Sequence, residues 1–491
     1  MAEENEAVAE DTAAAEEDLS LLERIVQKGK MARDESQVQY SQDLVGEFVD
    51  QILDDSMKAN PDTAAMINAR IAEIDQKIAD QLNEVMHAPE FQKLEGTWRG
   101  LSYLVMNTET STGLKLRILN VTQNELQSDL EKATEFDQSN LFKMVYEEEY
   151  GTFGGAPFSC LIGDYEFGRH PQDIALLEKL SQVAAAAHAP FLAAAGPRLF
   201  DMDSFTELAG PRDLAKIFES SELIKWRSFR ETEDARYVSL VLPRVLLRLP
   251  YGPDTVPVEG FDFTEDVDGT DHGRYLWGNA AWALGLRITE AFARFGWTAA
   301  IRGVEGGGLV QGLPTHTFQT DEGDIALKCP TEIAITDRRE KEINDLGLLA
   351  LCHCKGTDYA AFFGGQTANK PKVYNTDEAN ANARVSAMLP YVLAASRFAH
   401  YLKAIIRDKI GSFQTAGDIS AFLNAWIIQY VLLNDDASQE MKARYPLSEA
   451  RVDVTEIDGK PGCYNATVFL KPHFQLEELT ASIRLVAELP A

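Results

Sequence analysis

Arg451-Val452-Asp453-Val454-Thr455-Glu456-Ile457, then Asp458-Gly459-Lys460-Pro461-Gly462, then Tyr464-Asn465-Ala466-Thr467-Val468-Phe469-Leu470: the reading of this stretch decides the rest. Val452, Val454 and Ile457 run into a Gly/Pro turn. Tyr464, Ala466, Val468 and Leu470 then alternate with Asn465, Thr467 and Phe469. After Pro472 the run Leu479-Thr480-Ala481-Ser482-Ile483-Arg484-Leu485-Val486 alternates again. Alternation with period two around such a turn predicts antiparallel strands with one buried face. The final strand is expected to keep an uncovered edge, whose N–H and C=O groups invite pairing with another chain. Two readings are open. It is an ordinary edge strand, or Cys463–Leu470 and Leu479–Leu489, with Val468, Leu470, Ile483, Leu485 and Val486, form a sheet completed by strands exchanged between subunits.

Outward from this stretch, 491 residues exceed one ordinary core, so two or three domains are expected. A hydrophobic content of 45% suits a folded globular chain. Lys plus Arg total 46 against 77 Asp plus Glu, a formal charge of −31. That balance argues against nucleic acid and against anionic membrane surfaces, and leaves room for local basic faces. Cys160, Cys329, Cys352, Cys354 and Cys463 are scattered and odd in number, which fits a reducing compartment. The first residues lack the basic and apolar regions of a signal peptide, and no run of roughly 18 apolar residues appears. A cytoplasmic protein without membrane insertion is expected.

Residues 1–18 hold eight acidic side chains and no basic ones, a composition expected to be disordered. A short helix follows over Leu19–Lys28. Ser20 and Glu23 fit a capping box, and Leu19, Leu22, Ile25 and Val26 make an apolar stripe. Such a helix is marginal alone, so it docks on something or waits for a partner. A second helix is expected over Ser41–Met57. A third, after Asn60-Pro61-Asp62, carries Ile67, Ile71, Ile74, Ile78 and Leu82 at coiled-coil-like spacing. From His87 onward the pattern mixes helices with strands at Leu114–Leu119, Phe158–Gly163 and Phe191–Ala195, and the β-α-β-α-β order predicts a parallel α/β layer. Pro250–Gly273 reads as a long loop. Beyond Cys329, strands are expected at Thr331–Ile335, Leu348–Cys354 and Ala360–Phe363, with helices over Arg338–Leu346, Ala379–Ile410 and Asp418–Leu433. The expected division is an arm at 1–60, an α/β domain at 61–330 and a core domain at 331–491.

Tempting motifs weigh little. Cys352-His353-Cys354 places two thiols on one strand face, but a tetrahedral zinc site needs further ligands. Gly303-Val304-Glu305-Gly306-Gly307-Gly308 lacks the spacing of a phosphate cradle. Glu147-Glu148-Glu149 and Asp164 with Glu166 are explained as solvated element ends, and His170, His188 and His400 have no recognisable nucleophile elbow. No cofactor or metal is expected. Arg397, His400, Lys403 and Arg407 recur at spacings of three and four and so share one helix face, with Leu402, Ile405 and Ile406 opposite. That face is either ordinary solvated surface or an electrostatic contact.

Several blocks together are similar to one family: Leu94-Glu95-Gly96-Thr97-Trp98-Arg99-Gly100-Leu101, Tyr150-Gly151-Thr152-Phe153-Gly154-Gly155 with Gly163-Asp164-Tyr165-Glu166-Phe167, Ile301–Gly308, Cys329-Pro330-Thr331-Glu332-Ile333, Arg397–Lys403 and Arg407-Asp408-Lys409-Ile410-Gly411. In this order they resemble the large subunit of the type VI secretion contractile sheath, the TssC or VipB family, from about Leu19 to the end. The resemblance implies a mixed α/β, multi-domain, non-enzymatic structural protein with a C-terminal domain like that of phage tail sheaths. It implies pairing with a small subunit (TssB or VipA) and polymerisation with other copies around a tube of Hcp, on a baseplate at the inner membrane. Contraction would propel tube and effectors outward, and the ATPase ClpV would dismantle the spent form. On this resemblance Leu19, Leu22, Ile25 and Val26 are expected to fill a groove of that ATPase. Arg397, Lys403 and Arg407 are expected to meet the tube or a neighbouring subunit. The alternative is a soluble enzyme with a metal site near His353.

Overall fold

The computed structural model describes residues 24, 26, 28–32, 34–53, 63–210, 213–320, 322–412, 415–434, 436–457, 463–473 and 475. The chain divides into two compact units, Met1–Val85 with Tyr251–Glu265, and Met86–Pro250 with Asp266–Ala491.

The first unit is built on two helices, α1 (Val38–Leu53) and α2 (Thr63–Met86). Arg24, Val26 and Lys28 are helical, and Val26 is buried. The Met31 N–H reaches the Val26 carbonyl at 3.1 Å, and Ser41 Oγ on α1 donates to the Met31 carbonyl at 3.4 Å. Tyr251–Glu265 joins this unit as a loop closed on itself. The Glu265 carboxylate accepts from the Tyr251 N–H at 2.9 Å, and Asn83 on α2 donates to the Thr264 carbonyl at 3.5 Å.

The second unit contains, in chain order, α3 (Pro89–Asn107), α4 (Gln123–Lys132), a π-helix over Lys143–Tyr150, β1 (Leu161–Phe167), α5 (Pro171–Ala187), β2 (Phe191–Ala195) and β3 (Val238–Leu242). There follow β4 (Val245–Leu246), β5 (Trp277–Gly278), α6 (Ala281–Phe295), β6 (Leu309–Val310), β7 (Thr317–Gln319) and β8 (Ile325–Leu327). The remainder is α7 (Asp337–Asp345), β9 (Leu349–His353), β10 (Ala360–Phe362), α8 (Asp377–Ser386), α9 (Leu389–Lys409), α10 (Ala416–Ile427), β11 (Leu447–Glu456) and β12 (Tyr464–Pro472).

One six-stranded sheet, ordered β1-β2-β3-β9-β10-β6, carries the core. Its first four strands are parallel; β10 and β6 add antiparallel. Both faces are covered, so its central strands are apolar throughout. Phe191, Ala193, Val238, Leu240, Ala350 and Cys352 enter one cluster with α5. Leu192, Val241, Leu349 and Leu351 enter the other, with α6. A parallel α/β layer is present as expected, but it starts at β1 and β2, and Leu114–Leu119 is not part of it. Its third strand, β3, was not among the expected strands. The sheet also pairs β3 directly with β9, so it runs through residue 330, where a domain boundary was expected.

Two expected strands are absent from the sheets. Leu114–Leu119 is irregular: Leu116 packs against Leu104, Trp282 and Leu286 on two helices instead of joining β1, while Ile118 and Leu119 are exposed. Thr331–Ile335 makes a single bridge, from Thr331 to Val245. Its Glu332 is buried beside Arg244, His272 and Ser204, and an interior carboxylate must follow its partners. The long helix expected over Ala379–Ile410 is two, α8 and α9. Met388 is extended and Pro390 lies in the first turn of α9, where its missing N–H costs nothing. Gly347, at φ 79°, stops α7 as expected.

Helices α3 and α6 meet at a glycine. A Cβ on Gly100 would lie 2.3 Å from the Trp282 ring. Gly100→Ala is expected to force the helices apart and lower stability by about 1–3 kcal/mol, read as a lower urea midpoint. An unchanged midpoint would show that the helices separate at no cost.

Candidate functional site

The C-terminal hairpin forms as read, with Val452 opposite Val468 and Ala450 opposite Leu470. Its apolar face closes over Trp297, Phe398, Leu402, Leu423 and Ile427. Trp297 and Phe398 stack with ring centres 4.3 Å apart, and Trp426 and Tyr430 pack edge-on against Phe398. The outer edge of β11 is occupied. The Asn424 side chain on α10 donates to the Val452 carbonyl at 2.7 Å and accepts from the Val452 N–H at 2.9 Å. The Leu432 N–H takes the Leu447 carbonyl at 2.8 Å. Because Val452 turns both backbone groups to α10, its partner Val468 turns both the other way. Antiparallel alternation gives Ala466 and Leu470 the same direction. Among the described residues, the outward backbone groups of β12 are the ones left open to a further strand. Ile483, Leu485 and Val486 lie outside the described residues.

The basic spacing on α9 is also present, but the structure turns it inward. The Arg397 guanidinium stands 4.5 Å from the Phe292 ring centre and donates to Ser159 Oγ at 3.1 Å. The Lys403 ammonium sits 3.5 Å from the Tyr150 ring centre. Arg407 donates to the carbonyls of Thr152 at 2.8 Å, Tyr150 at 3.1 Å and Gly151 at 3.3 Å, closing the C-terminal end of the π-helix. His400 is buried and donates through Nε2 to the Ala187 carbonyl at the end of α5, 2.9 Å away. On the opposite side Leu402 and Ile405 join the hairpin core, while Ile406 is exposed. Between α9 and the loop Glu149–Pro157 lies a cleft of about 400 Å³.

In the arm, Val26 is buried; Leu19, Leu22 and Ile25 lie outside the described residues. Two helix faces are open, and sequence reasoning treated only that of α2 as a periodic stripe. On α2, Ile67, Ile71, Ile74 and Ile78 are 38–50% exposed, and on α3 Leu94 and Trp98 are 55% and 63% exposed. Apolar stripes of this size on a surface mark protein contacts. For α2 the signal was in the sequence as heptad-like spacing; its exposure was not.

The cysteine fragment does not assemble. Cys352 points into the core, where burial pushes its thiol up to about 12, and Cys354 is exposed beyond the end of β9. The two thiols do not share a face because the strand ends at His353, whose Nε2 is 2.9 Å from the Thr357 carbonyl. No three metal-ligating side chains converge among the described residues. Among them, too, no helix is long and apolar enough to cross a membrane.

Comparison with known proteins gives these surfaces a context. Residues 68–369 match the family VipB, described as EvpB/VC_A0108, tail sheath N-terminal domain. Residues 378–489 match VipB_2, the tail sheath gpW/gp25-like domain of the same proteins. The type VI secretion system sheath protein TssC1 of Pseudomonas aeruginosa is 50% identical over 447 residues, covering 90% of each chain. Chains from an anti-feeding prophage baseplate (TM-score 0.36, 9% identity, 64% of this chain and 66% of that) and from a contracted PVC sheath complex (TM-score 0.34, 8% identity, 63% and 68%) are more distant. A mixed α/β chain built from two tail sheath domains is a contractile-sheath subunit. It belongs to the VipB/EvpB sheath family and is a sheath subunit of a type VI secretion system.

His400 supplies a pH test of the α9 packing. Burial, with smaller contributions from His188, Arg397 and Lys403, lowers its pKa from 6.5 to about 4. Between these values the unfolded chain binds a proton that the folded chain refuses, so stability falls as pH drops through this window. From pH 7 to 5.5 the loss from this group is expected to be about 1 kcal/mol. Urea titrations should show a flatter pH dependence for His400→Gln. Equal slopes would mean that His400 does not titrate on unfolding.

Proposed function

We propose that the chain is the large, non-enzymatic sheath subunit, which pairs with a small subunit of the TssB or VipA kind and polymerises in the cytoplasm around a tube of Hcp. The sheath stands on a baseplate at the inner membrane and contracts to drive tube and effectors outward; ClpV then dismantles it. The observation that carries this reading is the hairpin edge. With β11 sealed by α10, pairing is directed to β12, where Val468 and Leu470 present backbone groups. Strands containing Ile483, Leu485 and Val486 exchanged between neighbours would keep subunits connected while they rotate, since backbone pairing needs only an edge and slack. The open stripe of α2 suits a helix of the small subunit.

Co-expression with the small subunit, followed by affinity purification and negative-stain microscopy, separates these contacts. Wild type is expected to form long tubes. Deleting Ser482–Ala491 should leave the pair intact but abolish long tubes. Ile71→Asp with Ile74→Asp should abolish the pair itself. Normal tubes from the truncation would refute strand exchange, and a normal pair from the double variant would remove α2 from the interface.

The arm gives a recycling reading. Val26 is covered, which fits a helix hidden in one state and released in another, so that only spent sheaths reach the ATPase. A peptide over Glu16–Lys30 is expected to bind the isolated ClpV N-terminal domain in a calorimeter, and its Leu22→Asp, Val26→Asp version is not. In cells the double substitution should leave contracted sheaths that accumulate. Clearance at the normal rate would exclude this helix as the recognition element.

A further inference from the structure

We propose that the cleft between α9 and the loop Glu149–Pro157 receives a carboxylate-bearing segment of a second copy of this chain. The inference rests on the sheath reading and assigns a contact to it. Arg397, Lys403 and Arg407 line the cleft, and none forms an ion pair among the described residues. Their partners are ring faces, the hydroxyls of Ser159, Tyr401 and Tyr146, and carbonyls. These satisfy donors but leave three positive charges unneutralised. Of the two carboxylates at the rim, Glu149 is taken by Arg117 and by the Ala156 N–H, and Asp408 alone remains. In a chain with 77 acidic and 46 basic residues, an unneutralised basic cleft is an exception that needs a counter-charge.

The cleft is preformed. Arg407 pins the loop by three carbonyls, and the loop folds back so closely that a Cβ on Gly155 would lie 2.1 Å from the Glu149 carbonyl oxygen. Phe153, 77% exposed, stands on this held loop and offers an apolar contact beside the cations. A polyanion in solution meets the repulsion of the whole chain at −31. A second copy is instead brought close by the sheath lattice. There, two chains of −31 repel unless opposite charges meet at their contacts, and a copy with acidic excess supplies carboxylates readily.

Sheaths formed with the small subunit are treated with a carbodiimide, which condenses an amine with a carboxylate. A band of twice the chain mass should contain Lys403 coupled to an Asp or Glu peptide. That pair should be absent from dissociated protein and from Lys403→Gln. The Lys403→Gln and Phe153→Ser variants should form tubes that dissolve at severalfold lower NaCl than wild type. Phe153→Ser alters only an exposed loop position, so it remains decisive if Lys403→Gln folds poorly. Lys403 coupled only within one chain, or only to the small subunit, would overturn the proposal, as would an unchanged salt midpoint in Phe153→Ser. Failure of wild type to form tubes at any salt would count against the sheath reading itself.

Discussion

The hydrogen bonds between the Asn424 side chain and both backbone groups of Val452 set the direction in which this structure can be extended. A two-stranded hairpin has two edges, and an unpaired edge recruits whatever strand is available. One amide closes the β11 edge against α10. Burial of Val452, Leu423 and Ile427 under the Trp297–Phe398 stack holds that amide in place. Among the described residues, β12 is the edge of the hairpin that α10 does not cover. The choice of edge is a matter of satisfied backbone groups rather than of side-chain identity on the strands.

The two-faced sheet and the α9 clasp are the rigid counterpart of that edge. β2, β3 and β9 bury every side chain on one face or the other, apart from half-buried His353. Such a layer does not deform gradually, because close-packed interiors resist small displacements. α9 links the sheet's surroundings to the hairpin. His400 reaches the end of α5, Arg407 closes the π-helix, and Leu402 enters the hairpin cluster. The hairpin, α5 and the π-helix are thus tied together through one helix of the second unit.

Charge and hydrophobic surface are distributed accordingly. The chain as a whole is strongly acidic, yet three cations of α9 are spent on neutral acceptors around one cleft. Ile71 and Ile74 on α2 and Trp98 on α3 remain open to solvent. Exposed apolar stripes of this kind suit a subunit with neighbours.

What local periodicity encodes was legible from the residues alone. The alternation of Tyr464–Leu470 specified a hairpin, the run Phe191–Ala195 a buried strand, and the three-and-four spacing of Arg397, His400, Lys403 and Arg407 a common helix face. The family blocks specified the relationship to sheath proteins. Where each pattern found its partner depended on packing between distant segments. Val238–Leu242 became the centre of the sheet by pairing with β2 and β9, which lie tens of residues away or more. Leu114–Leu119 alternates without a ladder because two helices took its apolar side chain. Arg407 faces carbonyls of the loop after the π-helix, far away in sequence, instead of water. Period follows from the geometry of a single element. Burial, edge satisfaction and charge pairing belong to contacts between distant segments, and no local pattern carries them.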